Sequence, residues 1–278
     1  MKLASTSYGG ATGGDAAGGG SRASGSAGEV PALVMLHGLF GSGDNLRGLG
    51  RAFEDRFTVV YPDLPNHGDS PHSDDVGYGV LAEAVATLVE RSGFPRVAVA
   101  GHSMGGKVAM RLALDRPDLV AALVVLDMAP RRYEPSHGAI FDALLALPVD
   151  EVESRADADR MLADAIPSRP VRSFLLKNLV KDDGSYRWRL NLPVLKREYA
   201  TILGWEGEGA YEGPALFVGG SESKYLKPDR DDELVHGLFP QARIEMLDGA
   251  GHWIHSERPD DVRSLMSDFL ATVTGDAS

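Results

Sequence analysis

Gly101-His102-Ser103-Met104-Gly105-Gly106 lies between a short apolar run at 97–100 and a helical pattern over 107–115. A strand that passes through Gly-x-Ser-x-Gly into a helix turns so tightly that the positions two before and two after the serine have no room for a side chain. The serine is forced towards positive φ, a conformation kept mainly where function requires it. Its hydroxyl then stands above a sheet and over a helix N-terminus, with the N–H of Met104 beside it. Such a string is weak on its own in a chain with 33 glycines, so the weight falls on its surroundings.

Outward from this turn, apolar runs at 32–36, 57–61, 97–100, 121–126, 215–218 and 243–247 alternate with amphipathic stretches. The stretch 78–92 carries Val80, Leu81, Ala84, Val85, Leu88 and Val89 at helical spacing. Near-continuous apolar strands separated by helices predict an α/β fold with a mostly parallel, doubly wound sheet covered on both faces. Between 129 and 213 only helical segments are read, at 140–147, 156–166 and 171–180. That interval is too long for one crossover helix and predicts a helical cap over the C-terminal edge of the sheet. The resulting division is a core of 30–130 and 213–278, a cap of 131–212, and an N-terminal portion of 1–29. In that portion, 2–8 is expected as an edge strand. The Gly/Ala/Ser/Thr run at 9–28 is expected to be disordered, because it cannot bury enough apolar surface. Phe40, Trp188, Tyr199 and Trp205 are candidate substrate contacts, with Leu195 and Ile202 beside them, and a plain cap core is the competing role for the cap residues.

The 278 residues, 43% apolar and 24% charged, suit a single soluble domain with an insertion. No stretch reaches the roughly 18 apolar residues of a membrane span, and no apolar leader is visible at the start. The chain has no cysteine, which excludes disulfides and thiolate chemistry and agrees with a cytoplasmic location. A net charge of −12 disfavours nucleic acid and anionic membranes as partners. What remains is a small-molecule substrate and a monomer or homodimer.

A serine hydroxyl attacks only when a base removes its proton and a third group orients that base. In α/β sheets of this kind the partners follow in the order Ser, acid, His. His252, on the turn Asp248-Gly249-Ala250-Gly251 after the last strand, is the expected base, and His255 is read as a supporting or surface residue. For the acid, Asp127 closes the run 121–126, and Glu222 follows 215–218. In the turn Gly220-Ser221-Glu222-Ser223 the slot usual for an aspartate is Ser223, which cannot offset an imidazolium charge. Asp127 is preferred, because a carboxylate capping an apolar strand is costly without a partner; Glu222 stays open.

The oxyanion requires preorganised N–H donors. Met104 supplies one, and Leu39, in His37-Gly38-Leu39-Phe40, is the leading second donor with Phe40 as the alternative. His37 is expected to brace that loop, and His67, in a Pro/Gly turn, is read as structural rather than metal-binding. No metal or cofactor is called for. Hydrolysis of a carbon–carbon bond, or perhydrolysis, by the same residues would need a carboxylate clamp from Lys107, Arg131 or Arg132. Dehalogenase and epoxide-hydrolase chemistry would need Asp at 103. A non-catalytic receptor role is disfavoured by an intact set of three.

With Leu36-His37-Gly38, Gly101-His102-Ser103-Met104-Gly105-Gly106 and Gly251-His252 in order, the chain resembles the α/β-hydrolase superfamily over about 30–270. Leu126-Asp127-Met128-Ala129-Pro130, Phe174-Leu175-Leu176-Lys177-Asn178-Leu179 and Asn191-Leu192-Pro193-Val194-Leu195 narrow it to a likeness with YbfF-type bacterial serine esterases. That resemblance implies Asp127 as the acid, Ser223 as an auxiliary contact of the histidine, a small helical cap, and short to medium acyl esters or thioesters as substrates.

Overall fold

In the computed structural model the described residues are 1–9 and 32–274. The expected disorder of 9–28 falls, beyond Gly9, outside them. Seven strands form one sheet in the order β1-β3-β2-β4-β5-β8-β9. They are β1 (Ser5–Gly9), β2 (Ala32–Leu36), β3 (Thr58–Pro62), β4 (Val97–His102), β5 (Val120–Leu126), β8 (Ala215–Gly220) and β9 (Ala242–Leu247). β1 runs antiparallel to β3 at the edge and every other pairing is parallel. The sheet is therefore the mostly parallel, helix-covered one that the alternation of strands and helices predicts.

Side-chain alternation divides each central strand between two apolar layers. Val34, Val97 and Val99 face a layer with Leu81, Val85, Val108 and Leu112 from α2 (Tyr78–Ser92) and α3 (Met104–Asp115). Leu33, Met35, Ala98 and Ala100 face the opposite layer, built on α1 (Asp44–Gly50) and α11 (Pro259–Thr274) with Leu46, Leu49, Val262 and Met266. Both faces are dry, which is why these strands read as unbroken apolar runs. α9 (Pro228–Leu238) and the short α10 (Ile254–Glu257) complete the connections.

Between β5 and β8 the chain leaves the sheet and forms α4 (Gly138–Ala146), α5 (Arg155–Met161), α6 (Arg169–Leu175), α7 (Leu192–Arg197) and α8 (Tyr199–Leu203). It also forms a hairpin, β6 (Leu179–Asp182) with β7 (Ser185–Trp188), paired antiparallel. The sequence reading, helical only and with a helix running through 180, is corrected here: α6 ends at Leu175, and residues 179–188 are the hairpin. Asp183 and Gly184 turn it with φ of 46° and 93°, the left-handed pair that a two-residue hairpin turn demands. Phe141, Leu144, Leu175, Leu192 and Ile202 of this insertion join the same apolar layer as α2 and α3. Among the described residues no helix is long and apolar enough to cross a membrane.

Candidate active site

The turn after β4 is as tight as its glycines demand. A Cβ on Gly101 would overlap the Gly105 carbonyl, and one on Gly105 would overlap the Leu36 carbonyl. Ser103 sits at φ 54°, ψ −121° as the residue before α3, and its N–H donates to Leu126 O at 3.1 Å. Asp127 and Phe40 also hold positive φ, at 51° and 62°. Asn66 and Asp183 do so elsewhere in the fold, in turns, while Ser103, Asp127 and Phe40 stand at the end of the sheet where the cavity lies.

Asp127 follows β5 and is fully buried. Its Oδ1 accepts from Gly220 N–H at 3.2 Å, and its Oδ2 accepts from the Ser223 hydroxyl and from His252 Nδ1–H, the latter at 2.6 Å. Glu222, the other acid considered, is exposed and makes no contact with His252 among the described residues. A Cβ on Gly220 would overlap the carbonyls of Ala250 and Gly251, so β8 and the His252 loop approach as closely as backbone can. Ser103 and His252 line the same cavity, although Ser103 Oγ makes no hydrogen bond to the imidazole among the described residues. In unliganded sites such contacts commonly tighten only when substrate arrives.

The loop after β2 passes over the serine. A Cβ on Gly38 would come within 3.2 Å of Ser103 Cβ, a tight contact that glycine avoids. Phe40 N–H is already committed to His67 Nε2 at 3.3 Å, which removes it from the competition for an oxyanion. Among the described residues the Leu39 and Met104 N–H groups have no hydrogen-bond partner. His37 braces the loop: Nδ1–H donates to Gly38 O at 2.8 Å, and Nε2 accepts from Leu64 N–H at 3.0 Å. Burial lowers His37 to about 4 and His67 to about 3, so both stay neutral. Among the described residues no group of three or more His, Asp or Glu is arranged to hold a metal ion.

Several site residues carry no sequence signal of their own. Tyr225 stacks on His252 with ring centres 3.9 Å apart. His102 Nε2–H donates to the His252 carbonyl at 2.9 Å, and its ring packs against both His252 and His255. Burial, followed by the neighbouring histidines, holds His102 far below the usual imidazole range. His255 is thus a close neighbour of His252 through His102, with its Nδ1 buried and unpartnered among the described residues. Asn178 donates its amide to Phe40 O at 2.7 Å, tying the insertion to the loop above Ser103. The segment 174–179 flagged its presence but not this role.

Two cavities meet at Ser103. The larger encloses about 870 Å³ and is walled by Phe40, Val171, Phe174 and Trp253. The smaller holds about 30 Å³ and is walled by Met104, Met128, Tyr133 and Leu203, with Tyr199 at its edge. Trp188 and Trp205 line neither, a correction to the expected substrate contacts. The Trp188 indole donates to Leu144 O inside the insertion, and Trp205 tilts against Tyr78 of α2, so the first ring packs within the insertion and the second packs it against the core. Lys107 is not available as a carboxylate clamp. Its Nζ donates to the carbonyls of Ile202 (3.5 Å), Leu203 (2.9 Å) and Gly204 (2.5 Å), which uses all three ammonium protons. Burial, with Arg131 and Arg132 nearby, lowers its pKa to about 7. Arg131 pairs with Asp231 and lies over the Tyr133 ring, and neither Arg131 nor Arg132 reaches a cavity wall.

Residues 31–259 match the family described as the alpha/beta hydrolase fold. The chain is 41% identical over 251 residues to the sn-1-specific diacylglycerol lipase ABHD11 of Mus musculus, covering 87% of this chain and 81% of that protein. It is 37% identical to Esterase YbfF of Escherichia coli, covering 86% of this chain and 92% of the relative. Among solved structures it is similar to a marine microorganism esterase, at a TM-score of 0.86 and 33% identity, over 97% of this chain and 99% of that one.

Proposed function

The chain belongs to the α/β-hydrolase fold family as an ester hydrolase, and from that membership we propose a serine esterase that cleaves short to medium acyl esters and thioesters through an acyl-enzyme. Ser103 Oγ attacks the carbonyl carbon while His252 Nε2 takes its proton. The oxyanion that forms is received by the N–H groups of Leu39 and Met104. Asp127, held by Gly220 and Ser223, keeps the proton on His252 Nδ1 and stabilises the imidazolium without itself becoming protonated. The imidazolium then passes its proton to the departing alcohol or thiol. Water, deprotonated by the same histidine, releases the acid and restores Ser103. Residues 131–212 act as a cap that closes the site from above, and Phe40 and Tyr199 contribute walls.

One observation carries this reading. The imidazole on the loop after β9 is held at 2.6 Å by a buried carboxylate and opens into the cavity of a serine at strained φ. The carbon–carbon hydrolase alternative has no such support, since its candidate clamp is spent on backbone carbonyls. A fluorophosphonate probe tests the reading. It is expected to label the protein and to lose all labelling in Ser103→Ala. Equal labelling of that variant overturns the assignment.

A further inference from the structure

The two cavities at Ser103 differ in size by more than an order of magnitude, and they are not interchangeable in the reaction. In the tetrahedral intermediate the carbonyl carbon carries four groups: Ser103 Oγ, the oxyanion, the leaving heteroatom and the acyl chain. The oxyanion faces Leu39 and Met104. The leaving heteroatom must face His252, because it takes its proton from Nε2. Of the two cavities only the larger has His252 in its wall, with Trp253 and His255 beyond it. The smaller has Met104 and Met128 in its wall and shares Leu39, His137 and Tyr225 with the larger, but His252 does not line it.

We infer that the small cavity is the acyl site and the large groove the alcohol or thiol site, so that the preferred substrates are esters of a short acyl group with a long apolar leaving group. The inference rests on the serine–histidine reading above and narrows its acyl range. About 30 Å³ admits acyl groups of about two or three carbons, given the volume a single water needs. The wall cannot yield easily. Tyr78 Oη–H donates to Ile202 O at 2.6 Å, and Lys107 holds the next two carbonyls, so the segment 202–204 is fixed to α2 and α3 from beneath. Lys107 is here a positioning residue: it sets how large the acyl group can be and touches no reacting atom. Among the groups that line it, Tyr78, Lys107 and Tyr133 spend their polar atoms on backbone, and His137 Nδ1 pairs with the Tyr199 hydroxyl.

Two matched series test the assignment. In p-nitrophenyl esters of increasing acyl length, kcat/KM is expected to peak at acetate or propionate and to drop roughly tenfold or more for each further pair of methylenes. In acetates of increasing alcohol length, from ethyl to decyl, kcat/KM is expected to hold or rise. Leu203→Ala is expected to raise the hexanoate-to-acetate ratio about tenfold, and Val171→Trp to lower the decyl-to-ethyl acetate ratio about tenfold. Long acyl chains accepted with long alcohols refused, equal tolerance in both series, or ratios that neither variant moves each overturn the inference. Absence of turnover in both series overturns it as well. Loss of fluorophosphonate labelling then shows that the triad reading falls with it, and retained labelling that only the division of the substrate does.

Discussion

The C-terminal edge of the sheet and the insertion between β5 and β8 enclose the same cavities, but different forces hold them. At the sheet edge the groups proposed to do chemistry are fixed by backbone. Gly101 and His102 are in register with Val125 and Leu126, and Asp127 N–H donates to Val218 O at 2.7 Å. The insertion is held over them by side chains and packing: Asn178 on the Phe40 carbonyl, Lys107 on Leu203 and Gly204, and an apolar layer shared with α2 and α3. Bond-making demands sub-ångström placement, which strands supply. Selectivity by volume can be reset by one side chain without disturbing that placement.

The comparison breaks first, and by the largest margin, at Asp127. Asp127→Asn is expected to lower kcat on p-nitrophenyl acetate about 10⁴-fold, because the amide favours the wrong imidazole tautomer. Glu222→Gln, at an exposed carboxylate, is expected to leave it unchanged. The reverse result moves the acid to β8. Acid comes next. His37 and His67 are buried and neutral, with pKa values lowered by burial from 6.5 to about 4 and about 3. The unfolded chain therefore takes up these protons first. Stability is full above about 6.5 and drains as pH falls through the folded values, by on the order of 3 kcal/mol for His37 alone. A Tm profile between pH 7 and 4 should fall, and His37→Gln should make its acid limb shallower; parallel profiles count against a neutral brace.

Smaller effects sharpen the contrast from the insertion side. Asn178→Ala removes the donor to Phe40 O and is expected to cost about 1–3 kcal/mol in stability. Loosening the loop that carries Leu39 N–H should also lower kcat about tenfold, with KM little changed. A fall in Tm without a fall in kcat limits Asn178 to docking the insertion. Smallest is Trp188→Phe. It deletes one indole bond to Leu144 O, about 1 kcal/mol by thermal melts, and should not alter the ester chain-length profile. A changed profile returns Trp188 to the substrate wall.

The same contrast governs what could be read from residues alone. The turn at Ser103 was legible because its flanking glycines are a steric requirement written locally: Gly101 and Gly105 would clash as alanine, and Gly106 would be tight. Asp127 was legible because an apolar strand does not end in a carboxylate without a partner. The strands were legible because burial on both faces leaves continuous Val, Leu and Ala. The hairpin at 179–188 was missed, though Asp183-Gly184 between Leu179-Val180 and Tyr186-Arg187-Trp188 is a hairpin signal. A preceding helical pattern hid it. Tyr225, Trp253 and His137 had no signal, and His102 lay in the quoted turn without its role being readable, because each matters through a neighbour that folding alone brings near.

Leu126 offers its carbonyl to the amide of Ser103, and the next residue is Asp127. One peptide unit thereby couples the residue proposed to attack to the one proposed to orient its base, and the two share the movements of β5. The third partner arrives on a separate, glycine-punctuated arm at 248–252. That arm is clamped to the sheet through Gly220, Glu222 and His102, so loss of alignment on warming is expected to begin where this clamp gives way.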